Sequence, residues 1–273
     1  MTLLKKIAMA WLGASILLSL PVMAANESQK QAKNDDKAVY IYLIRHGKTM
    51  FNTTSQVQGW SDTPLTLAGI DGAKAAALGL ASTPFVAAYT SDLGRARSTA
   101  KIILQQGDRK GLTLVDDERF REWNYGGYEG RPDVEMWTPL FEQQGMVFDK
   151  TWANWPDFVK KMSDRDIANA IHKNDPMGWA ETYDQIESRL KSGIEDVVLA
   201  TEQKGGGNVM LVAHGGAIIS MLDIFVPGEG KDADISNSSV SILKYDNGKY
   251  QLISAGDTSY LEAGKKMMAA QSK

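Results

Sequence analysis

The chain has 273 residues, 43% of them hydrophobic and 23% charged, with a net charge of −3. That length suits one α/β domain with a sizeable core, and the near-neutral balance excludes a basic nucleic-acid tract or an acidic solvating tail. There is no Cys, which excludes a disulfide framework and a lipid-modified cysteine and suits a protein kept away from oxidation chemistry.

The first 24 residues differ in kind from the rest. Lys5 and Lys6 precede an apolar run over residues 7–20, and Pro21-Val22-Met23-Ala24 follows. This charged, apolar, small-residue order is that of a secretory signal peptide, with cleavage expected after Ala24. A membrane anchor competes with it, but the run is shorter than the roughly 20 apolar residues a span needs. The protein is therefore expected to be exported, periplasmic or secreted, with no stable membrane anchor after cleavage. Residues 25–38 are mostly polar and aperiodic and read as a disordered leader.

The folded domain is expected over residues 39–260. Residues 39–45 form an apolar first strand that stops on Arg45-His46-Gly47. Residues 66–80 carry Ala and Leu at helical spacing behind Thr66 as N-cap. A second strand over residues 85–90 ends at Ser91-Asp92, an N-cap pair, and a helix bearing Arg95 and Arg97 follows. Residues 112–115 read as a short third strand. Residues 116–132, with Gly126, Gly127 and Gly130, read as a loop.

Residues 133–173 are helical and carry Trp137, Trp152 and Trp155, which marks an all-helical insertion. Residues 181–203 form an amphipathic helix with Ile186, Leu190, Ile194, Val197 and Val198 on one stripe. It stops at Gly205-Gly206-Gly207. Residues 209–213 form a buried strand, then His214-Gly215-Gly216 opens an apolar helix to Phe225. Residues 240–253 hold two strands around Asp246-Asn247-Gly248, a hairpin signature. The tail over residues 261–273 reads as weakly helical or frayed. No internal repeat occurs.

Alternating strands and helices predict a three-layer α/β/α fold with a mostly parallel sheet. The helical insertion is expected over the strand carboxyl ends, where ligands bind in such sheets. Two of the three histidines, His46 and His214, fall directly after an apolar strand and before Gly. The third, His172, lies in a polar stretch and reads as a surface residue. One sheet edge would then gather two imidazoles, at least two guanidiniums and two helix N-termini. That is an anion pocket, and phosphate is its natural occupant. Either His-Gly pair alone is an ordinary turn. There is no Walker loop, and neither HxxxH nor HExxH occurs, so no metal and no cofactor is expected.

These residues resemble the histidine phosphatase superfamily, the phosphoglycerate-mutase-like proteins, over about residues 39–254. Arg45-His46-Gly47-Lys48-Thr49, with Asn52 downstream, is similar to the family's RHG signature. Residues 91–100, SDLGRARSTA, resemble its SxLxRAxxTA motif, with Asp92 and Ser98 replacing a common proline and glutamine. Residues 121–130, REWNYGGYEG, resemble its acid loop, and Val212-Ala213-His214-Gly215-Gly216 its second-histidine motif. The resemblance implies that His46 attacks phosphorus and becomes a phosphohistidine. It implies that Arg45, Arg95 and His214 grip the phosphoryl oxygens, with Asn52 and Gly215 also binding substrate. Glu122 would protonate the leaving oxygen and later take a proton from water. Glu118, Glu129 and Glu135 are its competitors in sequence. Arg97 is the rival of Arg95 and is expected to pair elsewhere on the helix.

The aromatic in Tyr128-Glu129-Gly130 resembles phosphatase branches, where mutases tend to a Leu-Gln-Gly ending. With export, this favours hydrolysis of a small phosphorylated substrate. A phosphoglycerate-mutase-type phosphotransferase and a silent phosphate-ligand binding protein are the alternatives. Specificity is expected from the Trp-rich insertion, where Trp137, Trp152, Trp155 and Trp179 either stack on a sugar or ring or pack as a cap.

Overall fold

Alternation of apolar side chains with period two builds the centre of the molecule. Strand β1, Val39–Arg45, turns Val39, Ile41 and Leu43 into one apolar cluster and Ile44 into another. Its neighbour β4, Gly207–Ala213, does the same with Val209, Leu211 and Ala213 against Met210 and Val212. A strand apolar on both faces must be covered on both, and helices supply that cover. The computed structural model describes residues 37–106, 109, 111–230 and 233–271. The expected signal peptide, and the leader up to residue 36, lie outside the described residues.

The sheet has six strands in the order β3-β2-β4-β1-β5-β6. Strands β2 (Phe85–Thr90), β3 (Leu114–Asp116), β1 and β4 run parallel, while β5 (Val240–Asp246) and β6 (Lys249–Asp257) add an antiparallel edge. This is the mostly parallel three-layer α/β/α arrangement. Registers place Arg45 beside Ala213 and Thr90 beside Val212. The two strand ends that precede His46 and His214 are therefore level.

The helices are α1 (Met50–Thr54), α2 (Leu67–Gly79), α3 (Gly94–Gln105), α4 (Asp133–Gln143), α5 (Trp155–Phe158), α6 (Asp164–Asn174), α7 (Tyr183–Glu202), α8 (Gly215–Phe225) and α9 (Ser259–Gln271). Thr66 caps α2 by accepting from the Gly69 amide, as expected. Helices α4, α5 and α6 are the insertion, broken by turns at residues 144–154 and 159–163.

Three expectations are corrected and one is decided. Of the two readings of the C-terminal tail, weakly helical or frayed, the structure gives the helix up to Gln271. This helix, α9, packs on α2 so closely that a Cβ on Gly264 would meet the Ala75 carbonyl oxygen at 1.7 Å. Helix α3 is not capped by Ser91 or Asp92, because the chain stays extended to Leu93 and the Asp92 carboxylate takes the Arg121 guanidinium instead. The third strand is shifted to Leu114–Asp116, because its pairing to β2 begins at Ala88 beside Leu114. The loop over residues 116–132 contains two single-turn 3-10 helices, Glu118–Phe120 and Gly126–Tyr128.

Candidate active site

His46 follows the last residue of β1 and is 3% exposed. Its Nδ1 lies 2.8 Å from the Gly47 carbonyl oxygen. A carbonyl only accepts, so Nδ1 carries the proton and Nε2 carries the lone pair. The Arg95 Nε–H donates to that Nε2 at 3.2 Å. Burial, then Arg95 and Arg45, push His46 well below the usual imidazole range. The ring is neutral at pH 7, which is the state in which it is a nucleophile.

Arg95 is a fully buried cation in the first turn of α3. Its guanidinium donates to the carbonyls of Gly59 at 2.7 Å and Ser61 at 2.9 Å and to the Asp62 carboxylate at 3.0 Å. A buried charge without such partners would cost several kcal/mol, on the order of ~3–5. Residues 58–62 thus exist locally to hold this arginine. Its rival Arg97 turns away and pairs with Asp116 on β3 at 2.8 Å, not on its own helix.

His214 follows β4 and occupies the N-cap position of α8. Its ring centroid lies 5.2 Å from that of His46, and neither of its buried nitrogens has a protein partner. Burial, Arg95 and His46 hold it well below the usual imidazole range. Arg45 donates to the Ile235 carbonyl at 2.6 Å, while its Nε is buried and unpaired. Unpaired buried donors cost ~1–3 kcal/mol each; oxygens of a tetrahedral anion are natural partners for them.

The segment after α8 completes the cradle, and sequence patterns gave no signal for it. Asn237 donates to the His46 carbonyl at 3.0 Å and to the Asn52 side chain at 3.3 Å. The Ser238 amide donates to the Arg45 carbonyl at 3.0 Å, from a left-handed backbone with φ of 63°. Asn52 also closes a capping box with Thr49 at the start of α1. Its side-chain oxygen is therefore engaged.

The acid loop is tied down at four points. Glu122 places its carboxylate on the N-terminus of α8, accepting from the amides of Gly216 at 2.9 Å, Ala217 at 2.8 Å and Trp123 at 3.0 Å. A carboxylate at a helix N-terminus is favoured by the helix dipole. A Cβ at 216 would meet the Glu122 oxygen at 2.7 Å and push the carboxylate off the helix end. Glu129 accepts from the amides of Gly59, Trp60, Ser61 and Tyr125 at 2.7–3.1 Å. It joins the acid loop to the loop that holds Arg95. Arg189 on α7 donates to the carbonyls of Arg119, Arg121 and Glu122 and pairs with Glu181 at 2.8 Å. Asp175 gathers the amides of Gly127, Met177, Trp179 and Ala180. Of the competitors, Glu118 lies 3.6 Å from Arg121 and Glu135 pairs with Arg131 at 3.5 Å. Neither lines the cavity.

A cavity of about 760 Å³ opens above these groups. Arg45, Asn52, Glu122 and Gly215 line its floor, while His46, Arg95 and His214, buried beside Arg45 and Gly215 in the chain or in contact with His46, do not line it themselves. Trp137, Trp152 and Trp155 also line it, as a wall. Trp179 does not: it is 64% exposed on the far side of the Asp175 turn. His172 also departs from expectation. It is half-buried and its Nδ1 lies 2.6 Å from the Ala180 carbonyl, so it ties α6 to that turn rather than facing solvent. Among the described residues, no group of three or more His, Cys, Asp or Glu is placed to hold a metal ion, and no helix is long and apolar enough to cross a membrane.

Strand ends, paired imidazoles and buried guanidiniums of this kind define a phosphoryl-handling α/β protein. The sequence matches the histidine phosphatase superfamily (branch 1) over residues 41–160 and 140–258, and the chain belongs to that family. It is 32% identical over 230 residues to a probable phosphoglycerate mutase GpmB of Yersinia enterocolitica, covering 81% of this chain and 94% of the relative. A crystal structure of phosphoglycerate mutase from Bacillus anthracis superposes with a TM-score of 0.77 at 32% identity, covering 84% of this chain and 97% of that one. Bacillus stearothermophilus YhfR superposes with a TM-score of 0.60 at 25% identity, covering 82% and 99%.

Proposed function

We propose that this protein transfers the phosphoryl group of a small phosphorylated substrate to His46 and then to water. The observation that supports this most directly is the His46 ring, neutral, with Nδ1 bound to the Gly47 carbonyl and Nε2 beside Arg95. In the first step Nε2 attacks phosphorus, the P–N bond forms and the P–O bond to the leaving group breaks. Arg45, Arg95, His214, Asn52 and the Gly215 backbone receive the phosphoryl oxygens. Glu122 relays a proton to the leaving oxygen. In the second step Glu122 takes a proton from water, the water oxygen attacks phosphorus and the P–N bond breaks. Phosphate and the original enzyme result, with no metal in the cycle.

Phosphoglycerate mutase activity is the second reading. The similarity to the probable phosphoglycerate mutase GpmB and to the Bacillus anthracis phosphoglycerate mutase favours it over hydrolysis. The cavity wall favours hydrolysis, because a phosphoglycerate carboxylate needs cations beyond the clamp and finds chiefly Lys48 there. Rapid-quench labelling decides both points. A phosphohistidine that disappears in His46→Ala, followed by release of inorganic phosphate in the presence of chelator, is the expected result. Bisphosphate-dependent isomerisation of phosphoglycerate without phosphate release would establish the mutase. Ligand binding with no phosphohistidine would establish a silent binding protein. We propose further that the protein is exported; N-terminal sequencing of the protein recovered from a periplasmic fraction should begin at Ala25.

A further inference from the structure

The cavity is wider than a phosphate requires, and the cycle above makes no use of the carboxylates of Asp133, Asp164 and Asp234 on its wall. Asp133 is the first residue of α4 and half-buried, and it lines the cavity. Its amide is committed to the Ser55 carbonyl at 3.0 Å, but no protein group donates to its carboxylate among the described residues. Burial pushes it up to about 6, so it is charged at neutral pH and desolvated. A half-buried carboxylate without a donor is a strong acceptor waiting for one.

The aromatic groups of the insertion line the same cavity, with Trp137 one turn on from Asp133 in α4. Trp137, Trp152 and Trp155 contact one another edge to face at 5.3–5.5 Å. Trp152 holds φ of 63°, a left-handed conformation that is a genuine outlier for a bulky side chain and clusters at ligand sites. The charged groups of the cavity are unevenly divided. Its cations are Arg45 and Lys48, and its carboxylates are Glu122, Asp133, Asp164 and Asp234. Beyond the phosphate clamp the wall is anionic and aromatic.

We infer that Asp133 and Trp152 form a sugar-selecting wall, so that the substrate is a phosphorylated sugar or polyol. This rests on the phosphohydrolase reading of the same site. The carboxylate has two oxygens and accepts from vicinal hydroxyls, and the indole covers the C–H face of the ring. A carboxylate on the substrate beside the phosphate, as in phosphoglycerate, is repelled by the same group. An ammonium head suits the wall less well, because the three indoles pack on one another instead of surrounding a point.

The test compares wild type with Asp133→Asn and Trp152→Phe on glucose 6-phosphate, ethanolamine phosphate, 3-phosphoglycerate and 4-nitrophenyl phosphate. Wild type should prefer glucose 6-phosphate among the three biological esters. Asp133→Asn should lower the ratio of kcat/KM for glucose 6-phosphate to that for 4-nitrophenyl phosphate by roughly tenfold or more, mainly through KM. Trp152→Phe should lower the same ratio by a smaller factor. A preference for ethanolamine phosphate or 3-phosphoglycerate, or an unchanged ratio in Asp133→Asn, overturns the inference. If wild type hydrolyses none of the four, the phosphohydrolase reading fails, and binding decides the wall separately. Glucose 6-phosphate should then raise Tm more than inorganic phosphate does in wild type, and equally in Asp133→Asn. No extra rise in wild type also overturns the inference.

Discussion

The floor and the wall of the cavity are built on opposite principles. On the floor, Arg95 is held through Gly59, Ser61 and Asp62, and the loop that supplies those groups is held by Glu129. The guanidinium is fixed before any substrate arrives, and such preorganised donors dominate transition-state stabilisation. On the wall, the indoles of α4, α5 and the turn before α5 rest on one another and on Phe148 and Phe158, and Asp133 has no protein donor among the described residues. The floor is specified by hydrogen bonds and burial, so little can change there. The wall is specified by packing alone, so it can change without disturbing the chemistry. Substitutions should therefore separate into large effects common to all substrates and smaller effects that depend on substrate.

The largest effect belongs to His46→Ala. It removes the proposed nucleophile and should lower kcat by a factor on the order of 10⁴–10⁶, with no labelled phosphohistidine. Tm should fall modestly, by the loss of one acceptor for the buried Arg95 Nε–H; a collapse of the fold would break the comparison. Arg95→Ala comes next, at about 10²–10³ in rate. It should also destabilise more than His46→Ala does, by ~3 kcal/mol, since Asp62 and two carbonyls lose their donor. Glu129→Gln touches no substrate but loosens the amides of residues 59–61. It should cost ~1–3 kcal/mol in denaturant unfolding and lower activity on every substrate alike. A substrate-dependent loss would place Glu129 on the wall instead of the floor.

The paired histidines give the floor a pH signature. Both are held well below 6.5 in the folded protein, while unfolded histidine titrates near 6.5. Between those values the unfolded chain binds more protons. Stability therefore falls as pH drops below about 6.5, and keeps falling until the folded values are reached. His214→Asn removes one such group, so its Tm should fall less steeply than that of wild type between about pH 6.5 and 5. Equal slopes would mean that His214 is protonated in the folded state.

The floor was legible in the sequence and most of its support was not. His46, Arg95 and His214 follow apolar strands or open helices, and period-two and helical patterns report such places; Glu122 lies in an irregular loop and was marked only by the resemblance to the acid-loop motif. Ties made at long range leave no local pattern. Asn237 reaches the His46 carbonyl across 191 positions, and Arg189 reaches the Glu122 carbonyl across 67. The tail is ambiguous in the sequence for a related reason. Helix α9 is weakly amphipathic by itself, and its partner face on α2 is made of Ala and Gly, which helical periodicity does not mark as apolar anchors. The insertion was recognised by its Trp content, but composition does not say which indole faces the cavity.

Two of those indoles provide the finest test of the division. Trp155 is half-buried between Trp137, Trp152 and Phe158 and lines the cavity. Trp179 stands in solvent beyond the Asp175 turn, which is held by its backbone amides and not by the indole. Trp155→Ala should lower stability by ~3 kcal/mol or more through lost packing and shift relative rates among substrates. Trp179→Ala should change stability by less than ~0.5 kcal/mol and leave those relative rates where they were. The measurement is urea unfolding paired with the ratio of kcat/KM on glucose 6-phosphate and 4-nitrophenyl phosphate. If Trp179→Ala moves that ratio as far as Trp155→Ala does, the wall extends beyond the cavity to the Asp175 turn. Selection would then involve a movement of that turn, and packing within α4 and α5 would no longer account for it.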